Sequence, residues 1–249
     1  MNRRWTTLLP VVFVSYSLAY LDRANFSFGA AAGMAADLHI SSAQSSLLGS
    51  LFFLGYFLFQ IPGVLYAQKH SVKRLIFAGL IGWGVLASAT GLITDIRLLY
   101  LDRFLLGVVE SAVMPAMLLL QTRWYTRPER ARANAFLVLG NPVTMLWMSL
   151  LSGYLAHALG WRMMFVVEGL PPILWAVVWW RLVADHPREA AWFSPADRAT
   201  LEATLAQEQR GIAPVTNYAA AFQNPRVIML AAQHFFWSIG VYGFVIWMP

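Results

Sequence analysis

The stretch Leu98-Leu99-Tyr100-Leu101-Asp102-Arg103-Phe104-Leu105-Leu106-Gly107-Val108-Val109-Glu110-Ser111-Ala112-Val113-Met114-Pro115-Ala116-Met117-Leu118-Leu119-Leu120-Gln121 decides how this chain is read. As one helix it extends roughly 36 Å, enough to cross a hydrocarbon core about 30 Å thick. Yet Asp102, Arg103 and Glu110 lie well inside it. Arg103 and Glu110 are seven residues apart, so they share a face, with the small Gly107 between them. A membrane helix keeps such charges only where that face lines a protein interior or a water-filled cavity. Two readings follow: the face lines a transport cavity, or a salt bridge there locks two helices. The first is favoured, because ionisable groups inside a membrane are functional by default.

Outward from that stretch, the 249 residues are 59% hydrophobic and only 12% charged. A soluble domain carries about 25% charged residues, so the composition argues for a membrane protein. The net charge of +6 is read by where the basic residues sit, and no nucleic-acid footprint is expected. Without cysteine there is no disulfide or thiol chemistry, and the five scattered histidines lack paired ligand spacing. No metal site and no cofactor are expected. An intramembrane enzyme would need a nucleophile–base pair or metal ligands, and neither stands out, so no enzymatic activity is expected. The apolar run after Arg3 and Arg4 reaches about residue 32, too long for a signal-peptide core, and is read as a retained first span.

Apolar segments recur at about 5–31, 44–66, 74–93, 98–121, 133–156, 163–183 and 227–248, each long enough to cross as a helix. With the N-terminus inside, the inner segments hold fourteen Lys and Arg residues and the outer loops only Arg97 and Arg162. That bias predicts a cytoplasmic N-terminus in the cell (inner) membrane. The organisation expected is a six-helix transmembrane bundle over 1–184, a water-exposed cytoplasmic linker over 185–225, and a seventh span over 226–249 that begins a second bundle. Ser194 before Pro195 marks the start of a short surface helix, Pro195 to Gln209, ended by Gly211 and Pro214. Asp22-Arg23 in span one echoes Asp102-Arg103 in span four, the pattern of two inverted three-helix repeats.

Several further residues could carry chemistry. Adjacent helical residues point about 100° apart, so Asp22 and Arg23 seek partners elsewhere, with Glu110 and Arg103 the natural candidates. A charge-compensated structural cluster is the alternative. Burial raises a carboxyl pKa and a nearby arginine lowers it, so substrate displacing the arginine would let Asp22 or Glu110 take up a proton. Tyr56 and Gln60, four apart, offer a hydroxyl and an amide on one face; they suit a polyol or carboxylate, or equally a helix-to-helix bond. Gly140-Asn141-Pro142 interrupts span five, leaving Asn141 as a polar contact or part of a plain kink. Glu168 is read as structural.

These residues resemble the major facilitator superfamily of carriers. Tyr20-Leu21-Asp22-Arg23-Ala24-Asn25, Phe59-Gln60-Ile61-Pro62-Gly63, Arg103 with Gly107 and Glu110, Trp124-Tyr125 with Glu129-Arg130-Ala131, and Trp161-Arg162 with Phe165 look like its anion:cation symporter branch. That branch carries sugar acids, tartrate and phthalate. The resemblance implies an all-α membrane protein: a major facilitator-type six-helix bundle plus the first helix of a second bundle. It implies proton coupling at Asp22 and Glu110 and substrate binding at Arg23, with Arg103 and Tyr20 in support. Tyr56 and Asn141 match positions that touch substrate, and Gln60 belongs to the same polar face as Tyr56. The partners implied are a small organic anion, protons, the lipid bilayer and the missing C-terminal half. Two departures stand out in the loop after span two: Gln68 where the family has aspartate, and Ser71 where it has glycine. A truncated carrier without transport activity of its own, or half a carrier acting as a homodimer, are the other expectations.

Overall fold

The structure is a computed structural model that describes residues 3–210 and 223–247, of which 22–24 and 241–247 are described in backbone alone. The described residues form helices and turns with no strand, in two units, Met1–Glu208 and Gln209–Pro249.

In the first unit a wide π-type turn at Arg4–Leu8 leads into α1 (Leu9–Gly29), which has Pro10 in its first turn, where a missing N–H costs nothing. After the short α2 (Ala35–Asp37) comes α3 (Ser42–Lys69), started by a capping box in which the Ser41 hydroxyl accepts from the Gln44 N–H. Next are α4 (Val72–Thr90), α5 (Ile96–Glu110) and α6 (Val113–Trp124). The single long helix expected over 98–121 is therefore broken at Ser111–Ala112. The cause is Pro115: it has no N–H to offer the Ser111 carbonyl four residues back. α7 (Arg127–Val138) and α8 (Gly140–Leu182) follow, parted at Leu139, where Pro142 likewise leaves the Val138 carbonyl unclaimed.

α8 contains 43 residues and turns back on itself at Gly160, whose φ of 81° is left-handed backbone that glycine adopts without a Cβ penalty. The Ser152 hydroxyl donates to Glu168 Oε1 across 2.5 Å, and these residues lie eight before and eight after Gly160, so the two limbs run side by side. Helices pair as α1 with α8, α3 with α5, and α4 with α8. Among the described residues, four stretches of the first unit are long and apolar enough to cross a membrane: Ser42–Lys69, Val72–Thr90, Ile96–Trp124 and the doubled-back Arg127–Leu182.

One end of this bundle gathers Arg4, the α3–α4 turn, the α6–α7 turn and residues 183–208. There Arg4 Nη1 donates to the Trp124 carbonyl at 2.8 Å and Nη2 pairs with Glu129 at 2.5 Å, while the Tyr125 hydroxyl donates to the Arg4 carbonyl at 3.1 Å. Burial pushes the Tyr125 phenol well above its ordinary range; Arg4 pulls it partly back and Glu129 adds to the rise. The opposite end carries Arg162, paired with Asp37 at 3.0 Å and donating to the Gly91 and Ile93 carbonyls.

The stretch after α8 differs from a wholly water-exposed linker. Trp124 stacks on Trp192 with centroids 5.3 Å apart, its indole N–H donates to the Ala184 carbonyl, and Phe193 is buried beside them. α9 (Pro195–Gln209) starts at Ser194, whose hydroxyl accepts from the Asp197 N–H, and buries Leu201 and Leu205 on one face. Glu208 accepts from the Arg127 N–H at the start of α7 and pairs with Arg130 at 3.5 Å. The ending assigned to Gly211 and Pro214 lies outside the described residues. In the second unit α10 (Pro225–Trp247) is 23 residues long, started by Asn224 Oδ1 accepting from the Arg226 N–H.

Candidate functional site

α5 starts at Asp95, whose carboxylate accepts from the Arg97 N–H, and ends at the Pro115-induced break immediately after Glu110. Between those points Asp102, Arg103 and Glu110 are 4%, 3% and 1% exposed, so all three charges are inside the protein and out of lipid. Asp102 and Arg103 diverge, as adjacent helical positions must. Asp102 Oδ2 accepts from the Thr90 hydroxyl of α4 at 2.7 Å. The Arg103 guanidinium lies over Phe26 of α1 at 4.4 Å and Phe52 of α3 at 5.3 Å, a cation–π seat out of water.

Glu110, two turns further along the same face, lines a narrow cleft with Tyr16, Ala19 and Tyr20 of α1, Tyr56 of α3, and Val113 and Met114 of α6. The cleft holds about 10 Å³, room for roughly one water. Phe52 and Tyr56, four apart on α3, stack with centroids 6.2 Å apart and connect the Arg103 seat to the Glu110 cleft. That closeness depends on two glycines. A Cβ on Gly107 would run into the Phe52 carbonyl, and one on Gly55 into the Phe104 carbonyl, so the α3 and α5 backbones touch at both points.

The structure thus brings Tyr20, Tyr56 and Glu110 to one cleft, with Arg103 outside its lining, two turns before Glu110 on α5. Gln60 is half-buried one turn beyond Tyr56. Asn141 is half-buried at the start of α8; its Oδ1 is buried and accepts no hydrogen bond among the described residues. Asp22 and Arg23 belong to α1, and their side chains lie outside the described residues. Sequence reasoning passed over Tyr16, although its four-residue spacing from Tyr20 places both on one helical face. It also passed over Thr90, which nothing local in the sequence links to Asp102. Thr90→Val is expected to cost about 1.5 kcal/mol by removing a donor to a buried carboxylate, read as a lower unfolding midpoint in detergent.

A helical bundle of membrane-crossing length, with acids and an arginine sunk between its helices, has the makings of half a membrane carrier. The chain belongs to the Major Facilitator Superfamily, whose family model matches residues 12–249. It is 32% identical over 250 residues to a quinolone resistance transporter of Acinetobacter baumannii, covering 97% of this chain and 57% of that protein. It is also 32% identical over 249 residues to a putative tartrate transporter of Agrobacterium vitis, covering 97% of this chain and 55% of that one. A solved bacterial homolog of the human lysosomal transporter Spinster, inward-facing and occupied, superposes with a TM-score of 0.66 at 25% identity over 71% of this chain and 44% of that one. The chain therefore spans about half the length of the curated relatives it matches. Those relatives are transporters, not enzymes.

Proposed function

We propose that this chain is the first half, with the opening helix of the second half, of a proton-coupled symporter for a small organic anion that works by alternating access. The observation that carries the reading is Glu110: a carboxyl 1% exposed, at a helix break, facing the hydroxyl-bearing rings of Tyr16, Tyr20 and Tyr56, two turns from a buried arginine. A buried acid that lines a small cleft is placed to exchange a proton with a group entering it. In this reading Asp22 and Glu110 take the proton. Arg23, Tyr56, Gln60 and Asn141 contact the anion, and Tyr20 and Arg103 support them. The buried, unclaimed Asn141 Oδ1 favours a contact role over a plain kink. The relative named as a tartrate transporter favours a hydroxy-dicarboxylate or sugar acid as cargo.

The concentration of Lys and Arg at the end holding Arg4 and residues 183–208, against Arg97 and Arg162 opposite, favours a cytoplasmic N-terminus in the inner membrane. By domain, 1–184 is the six-helix bundle, 185–225 a cytoplasmic connection and 226–249 the start of the second bundle. The coverage of its relatives favours a second reading: alone, the chain is a carrier fragment without transport activity, completed by a missing half.

The test is uptake of labelled tartrate and sugar acids into vesicles, driven by an inward proton gradient. It is run on the 249-residue chain and on a version extended to its relatives' full length. The extended protein is expected to accumulate an acid, and Glu110→Gln to abolish the gradient-driven part while retaining anion exchange. Unchanged gradient-driven uptake in Glu110→Gln overturns the coupling role. Uptake by the shorter chain alone overturns the fragment reading.

A further inference from the structure

The outer surfaces of α4 and of the second limb of α8 take no part in the site at Glu110. On that limb the Trp175 indole N–H donates to the Ser15 hydroxyl of α1 at 3.0 Å, and the Trp179 indole N–H donates to the Lys73 carbonyl at 2.9 Å, so this side is turned into the bundle. Leu170, Leu174 and Val177 share the opposite side and are 48%, 71% and 51% exposed. On α4 the buried side carries Ile76, Leu80, Trp83 and Thr90, the last of which reaches Asp102 of α5. Phe77, Ile81 and Val85, four apart, form a stripe on the other side. The two stripes adjoin: the Phe77 and Trp180 rings are 4.8 Å apart, and a Cβ on Gly84 would run into Ile173 and the Gly169 carbonyl. Together they make one apolar strip that faces away from α5 and from the cleft that α1, α3 and α6 form around Glu110.

One end of the strip is cationic and aromatic. Lys73 Nζ lies 4.6 Å from the centroid of the Trp180 ring, and Arg74 and Arg181, next to these two in the chain, are exposed. Among the described residues no carboxylate pairs with any of the three cations, although Arg123 and Arg130 at the same end are both paired. Tryptophan is the residue type that settles at the depth of lipid headgroups, and a lysine stem lies along apolar surface while its ammonium reaches water. From Trp180 to Leu170 is about 15 Å of helical rise, one leaflet of a hydrocarbon core about 30 Å thick. A compact anion would use the cations and leave the strip bare. An amphiphile with an anionic head and an acyl tail uses both.

We propose that this strip is a binding site for an anionic phospholipid, its phosphate on Lys73 beside the Trp180 ring and one acyl chain along Ile81, Leu174 and Val177. Arg74 and Arg181 add positive charge around the headgroup. The site is independent of the cargo and of the coupling role of Glu110. Only the choice of leaflet, the cytoplasmic one, depends on the orientation proposed for the N-terminus.

Native mass spectrometry in detergent follows the purified 249-residue chain, and a version extended to its relatives' full length, with phosphatidylglycerol, phosphatidylcholine or inorganic phosphate added. Both proteins are expected to retain one phosphatidylglycerol about fivefold or more tightly than phosphatidylcholine, fivefold being the worth of one basic residue near an anionic surface. Lys73→Gln should remove about fivefold of that preference, while Lys73→Arg, which retains the charge, should preserve it. Arg97→Gln, at the opposite end of the bundle, should leave it unchanged. Leu174→Ser should weaken both lipids equally. Equal retention of the two lipids, a preference unmoved by Lys73→Gln, or full displacement by inorganic phosphate overturns the proposal. So does loss of the preference in the extended protein, which would mean that the rest of the carrier covers the strip. A photo-crosslinker at position 177 that captures protein instead of lipid in native membranes overturns it as well.

Discussion

Gly107→Ala is expected to lower the stability of the first unit by about 3 kcal/mol, at the upper end of what overpacking costs. Gly107→Leu is expected to leave no folded protein. A Cβ at this position meets the Phe52 carbonyl and, at 3.0 Å, the Tyr56 backbone nitrogen. Neither obstacle is a side chain that can rotate away; both belong to the α3 backbone. The helices must therefore separate, and they are pinned a turn away by Gly55 against Phe104. In a bilayer that separation is not offset by a hydrophobic gain, because helix association there depends on close van der Waals contact. Separation would also pull Phe52 from the Arg103 guanidinium and Tyr56 from the Glu110 cleft, so ligand binding should fall with stability. Gly153→Ala is the control: a Cβ there meets nothing within 4 Å. The same replacement should be neutral or slightly stabilising in that helix, by reducing the freedom of the unfolded chain. Equal unfolding midpoints for Gly107→Ala and Gly153→Ala would refute the close-contact account.

The membrane-crossing segments were legible because each is a local property, about twenty apolar residues in a row. The shared burial of Arg103, Gly107 and Glu110 was legible for the same reason: helical period alone puts them on one face. The break after Glu110 was equally within reach, since Pro115 forfeits the bond to Ser111, but length and hydropathy alone suggested one unbroken helix. What period cannot supply is which helix a face meets. Asp102 goes to Thr90 and Arg103 to Phe26 and Phe52 because of how α1, α3 and α4 surround α5, a non-local outcome. The stretch after α8 misled for a related reason. Its many charges suggested full exposure, while Trp192, Phe193, Leu201 and Leu205 provide enough apolar surface to lay one side on the bundle.

Asp185→Ala is expected to be about as damaging as Gly107→Ala, costing about 3–4 kcal/mol, in the range for leaving a buried charge network half-made. The carboxylate accepts from the Ser71 hydroxyl at 2.5 Å, the Val72 N–H at 2.7 Å, the Lys73 N–H at 3.2 Å and Arg123 Nη1 at 3.3 Å. Val72 and Lys73 open α4, so Asp185 satisfies donors that have no partner within their own helix. Arg123 Nη2 donates in turn to the Ala67 carbonyl at 3.3 Å, in the last turn of α3, where carbonyls are left over. One ion pair thus closes both sides of the α3–α4 turn. It involves Ser71, one of the two positions at which this turn departs from the superfamily's pattern, and the Ser71 hydroxyl also accepts from the Arg74 N–H at 3.0 Å. Asp185→Asn retains an acceptor for the helix N–H groups but loses the charge facing Arg123, so it should cost roughly half as much. Arg123→Ala, at a more hydrated site, should cost less than Asp185→Ala. The double variant should cost less than the sum, because the two remove one shared interaction. Denaturant titration of the four proteins in detergent measures this directly. An Asp185→Ala midpoint equal to wild type, or strictly additive losses, would mean that the turn is held by something other than this pair.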